Sequence, residues 1–191
     1  DGAGKSTLVS GLSSSLKADS RQVYVTREPG GTEFGLELRE IILKKRTQPL
    51  SVYEQAHLFA ADRLCLLRQE IMPRLENSEI VISDRSIFSS LVYQGVLGKA
   101  GFAAIRSINS MVRLPDLVIL LDLPPEVSIE RVSSRGEESR TIFEREEYFS
   151  VVRQGFLDLA SQNQGIFSVI DATQNPEIVL QQALERIKAI L

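Results

Sequence analysis

The chain has 191 residues, 43% of them apolar, and a formal charge of −3. That size suits one sizeable hydrophobic core rather than two, and the slight acidity, with no Lys- or Arg-rich tail, argues against a polynucleotide partner. No apolar run approaches the ~18 residues of a membrane span and no signal-peptide pattern is present, while one cysteine, Cys65, cannot close an internal disulfide and suits a reducing cytoplasm.

From the start of the chain, Ser6 to Leu16 reads as a helix with Leu8, Val9, Leu12 and Leu16 spaced for one buried face. Gln22 to Thr26 (QVYVT) reads as a strand running into the turn-rich Glu28-Pro29-Gly30-Gly31-Thr32. A helix follows over Phe34 to Lys45. Another starts at Ser51, with Glu54 three residues on as a capping box, and runs through Leu67, with Pro73 beyond it. Glu79 to Ser83 (EIVIS) is a short apolar strand that delivers Asp84 and Arg85 at its carboxyl end.

Ile105 to Arg113 is expected to be helical, broken by Leu114-Pro115. Leu117 to Asp122 (LVILLD) is the most apolar strand, as in a parallel sheet covered on both faces. Pro125 to Ser134 is a helix, Arg135 to Arg145 a polar segment, and Glu146 to Ser161 a helix again; Phe167 to Asp171 is a strand and Pro176 to Leu191 a closing helix. This alternation predicts an α/β fold with a mostly parallel sheet, in one domain over residues 1–191 without repeats or linkers.

Asp1-Gly2-Ala3-Gly4-Lys5-Ser6-Thr7 matches the end of the phosphate-binding pattern GxxxxGK[ST], whose first Gly and preceding strand are expected upstream of residue 1. Gly2 and Gly4 let backbone N–H groups turn toward phosphate oxygens, Lys5 reaches the β and γ phosphates, and Ser6 offers a hydroxyl to Mg²⁺. A chance glycine turn capping a helix is the bland alternative; the later strand and acidic strand end sit where the motif requires. The loop alone implies only a bound nucleoside triphosphate.

Asp84 and Arg85 follow an apolar strand and should open at the carboxyl edge of the sheet, where ligands bind. There Asp84 can approach Mg²⁺, directly or through water, and Arg85 can take a phosphate bidentately; a structural salt bridge is the competing reading. Phe59 and Arg63 lie four apart on one helical face, so a ring and a hydrogen-bonding cation could meet a flat base together, although spacing alone favours core packing for Phe59.

Taken together, Thr26-Arg27-Glu28-Pro29-Gly30-Gly31-Thr32, Phe59-Ala60-Ala61-Asp62-Arg63, Asp84-Arg85, Tyr93-Gln94-Gly95, Pro115-Asp116-Leu117 and Asp171-Ala172-Thr173 resemble the thymidylate kinase family, bacterial type, in order and over nearly the whole chain. The resemblance implies a three-layer α/β/α P-loop kinase fold with a five-stranded parallel sheet, its first strand upstream of the numbered chain. It implies transfer of the γ-phosphoryl group of ATP to dTMP with Mg²⁺, in a cytoplasmic homodimer. By the same resemblance Phe59 stacks on thymine beside Arg63, Tyr93 lies near the sugar 2′ position, and Ser90 and Gln94 belong to the base-facing stretch. Asp1 faces the 3′-hydroxyl, and Arg27 belongs to the acceptor-binding turn; Arg39 reads equally well as a solvated charge.

For the donor, the resemblance implies that the loop residues Gly2 to Thr7 are joined by Arg131 stacking on adenine, with Ala172 and Gln174 near the same base. Residues 135–145 occupy the family's lid position. Because the loop carries Ala3 rather than a basic residue, Arg135 and Arg140 become the expected transition-state charges; Ser139 departs from the family's usual acidic residue there. The acceptor is a phosphate monoester with a second pKa of ~6, so no catalytic base is required. His57 reads as a helix-face or core residue rather than a ligand, and Cys65 as core filling. The alternatives are a P-loop kinase of another nucleotide or nucleoside, and a P-loop regulatory switch.

Overall fold

The computed structural model describes residues 2–44, 46–134 and 142–191. Along the chain run α1 (Lys5–Ala18), β1 (Val23–Arg27), α2 (Glu33–Leu43), α3 (Val52–Leu66), a π-helical turn (Leu67–Ile71), α4 (Met72–Glu76), β2 (Ile80–Asp84) and α5 (Ile87–Ser90). A second π-helical stretch (Leu91–Leu97), α6 (Phe102–Ile108), β3 (Val118–Asp122), α7 (Pro125–Ser133), α8 (Ile142–Gln162), β4 (Phe167–Asp171) and α9 (Pro176–Lys188) complete it.

The strands are parallel, as the alternation of elements predicts. β1 pairs with β2 from Val23↔Ile80 to Arg27↔Asp84, and β3 with β4 from Val118↔Phe167 to Asp122↔Asp171. Among the described residues these are two separate two-stranded sheets, four strands where a five-stranded sheet is expected. β2 and β3 are strongly apolar, yet each of their residues is only half-buried, and each strand has a single hydrogen-bonded neighbour.

Two compact units emerge, one of Asp1–Leu12 with Pro115–Leu191 and one of Ser13–Leu114. In the first, Leu8, Leu12, Leu159, Ile170, Val179 and Ala183 are buried. Gly11 belongs to this packing, because a Cβ there would come within 3.0 Å of the Leu180 side chain on α9. In the second, Leu38, Ala56, Leu66, Phe88, Leu91, Val92 and Ile105 form the core.

Local chemistry explains the element boundaries. The capping box at α3 is present, with Ser51 Oγ accepting from Glu54 N at 3.2 Å and Glu54 Oε2 from Ser51 N at 2.6 Å. Pro73 does not stop the chain's helical course; it sits just past the π-helical turn, in which Met72 N donates to Leu67 O, so the chain passes the proline through a local change of helical pitch. The helix expected over Ile105 to Arg113 instead spans Phe102–Ile108. Asn109 ends it by turning its amide back, Nδ2 donating to Ile105 O at 2.8 Å. Residues 87–97 are helical although their β-branched, aromatic and glycine content gave no helical signal.

Candidate active site

In the first unit Gly2 and Gly4 have φ of +78° and +87°, the region that glycine enters without penalty. Around Gly4 a Cβ would meet nothing within 4 Å, whereas at Gly2 it would stand 3.1 Å from Ser128 O. α1 then begins at Lys5, so the first-turn N–H groups of Lys5, Ser6 and Thr7 have no carbonyl partner inside the helix, and Leu8 N donates to Gly4 O at 3.0 Å. Lys5 is half-buried beside Ala3 and Gly4; Ser6 and Thr7 are exposed.

Arg131 on α7 ties this loop to the segment after β4. Its Nη1 donates to Gly2 O at 3.4 Å, and both terminal nitrogens donate to Ala172 O at 3.3 Å. Gln174, two residues on, donates to Asp171 Oδ2 at 3.5 Å and accepts from Gln182 at 3.2 Å. The structure thus gathers Gly2, Arg131 and Ala172, three positions far apart in sequence. It adds one pair the sequence did not suggest: Arg153 of α8 grips Asp122, at the end of β3, with two bonds of 2.7 and 2.8 Å. Asp1, Arg135 and Arg140 lie outside the described residues.

In the second unit, Arg27 and Asp84 end their strands in register, and Glu28 N extends the ladder by donating to Asp84 O at 3.0 Å. The turn that follows contains a cis Glu28–Pro29 peptide and Gly30 at φ +106°. Successive residues of α3 hold it. Asp62 Oδ1 accepts from Gly30 N at 3.0 Å, and Arg63 Nε donates to Glu28 Oε2 at 2.7 Å. Arg39 adds a bond from Nη1 to Pro29 O at 3.2 Å, so it serves the turn rather than lying free in solvent. The turn motif and the α3 motif are therefore one assembly.

Arg63 is nearly inaccessible and also donates to Asn109 Oδ1 and Ser90 Oγ, at 2.5 and 3.1 Å. Arg85 has φ +80°, unusual for a residue with a Cβ, and its guanidinium carbon stands 5.3 Å from the centre of the Tyr93 ring, a cation–π arrangement. Phe59 is half-buried and Arg27 exposed. His57 is exposed on α3, its Nδ1 2.7 Å from Tyr53 O, and Cys65 Sγ accepts from Thr32 Oγ1 at 3.8 Å.

Four buried oxygens, Thr26 Oγ1, Asp62 Oδ2, Asp84 Oδ1 and Gln94 Oε1, have no hydrogen-bond partner among the described residues. Each such atom costs about 1–3 kcal/mol. All four belong to the strand ends and helices that carry the motifs, which is where a ligand would satisfy them. Asp84 Oδ1 is a hard anionic donor of the kind Mg²⁺ or its bound water prefers, so the residue present fits that ion.

The chain also has close relatives among known proteins. A family model described as thymidylate kinase matches residues 1–183. This chain belongs to the thymidylate kinase family. The thymidylate kinase of Symbiobacterium thermophilum is 39% identical over 196 residues, covering 100% of this chain and 90% of the relative. That of Chlamydia muridarum is 35% identical over 201 residues, covering 100% and 96%. The crystal structure of thymidylate kinase from Ehrlichia chaffeensis superposes with a TM-score of 0.79 at 28% identity, over 98% of this chain and 93% of the other. Family and fold make it a P-loop nucleoside-monophosphate kinase.

Within this thymidylate kinase scaffold the buried carboxylates are strained electrostatically. Burial pushes the Glu28 carboxyl up to about 7, against the downward pull of Arg63. Asp62 is likewise raised by burial, opposed by the Gly30 N–H and by Arg63 and Arg39. From its ordinary 4.5 to about 7, folded Glu28 binds more proton than unfolded Glu28, so its contribution to stability falls as pH rises through that window. Urea unfolding from pH 4.5 to 7 should show wild type losing ground to Glu28→Gln, by at most about 3 kcal/mol. A pH-independent difference between the two would contradict this.

Glu28 and Asp62 lie inside recognisable motifs, but spacing alone names no partner for them. Asn109 carried no signal at all.

Proposed function

We propose that the chain transfers the γ-phosphoryl group of ATP to dTMP, giving dTDP and ADP on the route to dTTP. The observation that carries the base preference is the pairing capacity left in the second unit. Among the described residues three of the five guanidinium N–H groups of Arg63 are engaged, which leaves two donors, and buried Gln94 Oε1 is an acceptor with no partner there. Thymine presents a carbonyl acceptor beside an N–H donor, whereas cytosine presents the reverse at the same positions. Steady-state kinetics with dTMP, dUMP, dCMP and dAMP test the assignment: dTMP should lead, and a preference for dCMP would refute it.

On this reading Gly2, Ala3, Gly4, Lys5, Ser6 and Thr7 hold the phosphates of ATP, with Arg131, Ala172 and Gln174 toward its base. Asp1, Arg27, Phe59, Arg63, Arg85, Ser90, Tyr93 and Gln94 serve dTMP. The monoester oxygen is already anionic near neutral pH, so these residues align and neutralise rather than remove a proton. Ser6 and Asp84 are the residues to hold Mg²⁺, which when bound neutralises charge on the β and γ phosphates. Arg135 and Arg140, outside the described residues, are assigned to the same neutralising role; of the expected lid span 135–145, residues 142–145 belong instead to the first turn of α8.

The same reading takes residues 1–191 as one domain, since the family match runs through both units. A homodimer is supported by exposed apolar side chains on α2, Phe34, Leu36, Ile41 and Leu43 among them. A cytoplasmic location is proposed from the lone cysteine; no described helix is long and apolar enough to cross a membrane.

Tyr93 is assigned to the sugar. Its half-buried ring, placed by the π-helical stretch and set against Arg85, would take the space a 2′-hydroxyl needs. Tyr93→Ala is expected to relax the preference for dTMP over its ribonucleotide counterpart while KM for ATP changes little. An unchanged preference would mean that the sugar is read elsewhere.

A further inference from the structure

Asn109 lies at the end of α6, 3% exposed, and neither of its amide atoms is idle. Nδ2 donates to Ile105 O at 2.8 Å, one turn back in its own helix. With the nitrogen committed there, the amide can turn only its oxygen toward Arg63, and Oδ1 accepts from Arg63 Nη1 at 2.5 Å. On the other edge of the same guanidinium, Nε is held by Glu28 Oε2 at 2.7 Å, and Nη2 by Ser90 Oγ at 3.1 Å. A planar group fixed at all three nitrogens cannot rotate about its long side chain.

We infer that Asn109 is a positioning residue for acceptor-base recognition: the end of α6 orients its amide, and the amide fixes the plane in which Arg63 presents its remaining N–H donors. The inference rests on the proposal that Arg63 reads the acceptor base. An arginine bound only at Glu28 and Ser90 would still be charged and buried, but its free donors would no longer be held at one angle. The loss therefore falls on acceptor binding and base choice, and not on the donor nucleotide.

The test compares wild type, Asn109→Leu, Asn109→Asp and Arg63→Ala by initial-rate kinetics with dTMP and dCMP, alongside thermal unfolding. Asn109→Leu keeps the volume and removes the acceptor, whereas Asn109→Asp keeps an acceptor for Arg63 and loses the donor to Ile105 O. The expected result for Asn109→Leu is a KM for dTMP raised ~10-fold, the equivalent of one charge-assisted hydrogen bond. Its dTMP/dCMP preference should be reduced, with KM for ATP unchanged and kcat altered much less, and Asn109→Asp should recover part of the loss. If Asn109→Leu does not fold, Asn109→Ser takes its place with the same expectation. If Arg63→Ala shifts KM for dTMP and base preference while the Asn109 variants shift neither, the inference is overturned and the role of Arg63 stands. If Arg63→Ala leaves both unchanged, the underlying reading fails and the inference goes with it. Equal losses in kcat and in both KM values, tracking a lower melting temperature, would show Asn109 to be merely structural and would also overturn it.

Discussion

Lys5→Ala is expected to lower kcat by about two to three orders of magnitude, the cost of removing one preorganised charge from a transferring oxyanion. The side chain leaves the first residue of α1, directly after Gly4 at φ +87° and beside a helix N-terminus that already favours anions. Ala3 brings no second cation to the loop, so Lys5 is the one P-loop side chain able to neutralise the γ-phosphoryl group. Because Lys5 is only half-buried and heads a helix that keeps its apolar face, the variant should fold with a melting temperature close to wild type. A Lys5→Ala enzyme with near-normal kcat would falsify the assignment of the phosphate-binding loop.

Arg85→Ala should be comparably damaging, on the acceptor side. The residue directly follows β2 and Asp84, and its backbone carbonyl is held by Ser83 Oγ at 2.9 Å. A left-handed backbone at +80° is uncommon for any residue with a Cβ, and it is kept here by an arginine whose charge lies over the Tyr93 ring. Alanine keeps that backbone strain and loses the charge. Arg85→Gly relieves the strain as well, so it should be at least as stable as Arg85→Ala, yet equally inactive. Arg85→Lys should recover little, because a point charge cannot grip a phosphate bidentately. The decisive comparison is kcat/KM for dTMP in the three variants: losses of ~100-fold or more in each support a phosphate-binding role. Recovery in Arg85→Gly alone would show that the backbone, not the guanidinium, is what matters.

How far the sequence could be read depended on the range of each interaction. Strands and helices came from local periodicity, and all four described strands lie within a residue or so of their expected ends; Phe167–Asp171 coincides with its expectation. The phosphate-binding loop was legible because its chemistry is packed into consecutive residues. The acceptor side was legible only as motifs. That Asp62 and Arg63 face Glu28 and Gly30 depends on how α3 packs against the end of β1, and the partners are 32 and 35 residues apart. Asn109 is 46 residues from Arg63, on a helix whose end was misplaced because a side chain, not a Gly or Pro, terminates it. The π-helical stretch that carries Tyr93 and Gln94 has no sequence period of its own to announce it. Arg153 and Asp122 are likewise joined only by tertiary packing.

Following both products by ³¹P NMR in one tube shows whether bound ATP gives up its γ-phosphoryl group to a mononucleotide. With ATP, Mg²⁺ and dTMP present, ADP and dTDP should appear in equal amounts from the first time point, and omitting dTMP should reduce ADP formation to background. ADP accumulating at the same rate with or without dTMP, or dTMP left unconsumed while ATP is bound, would contradict the account.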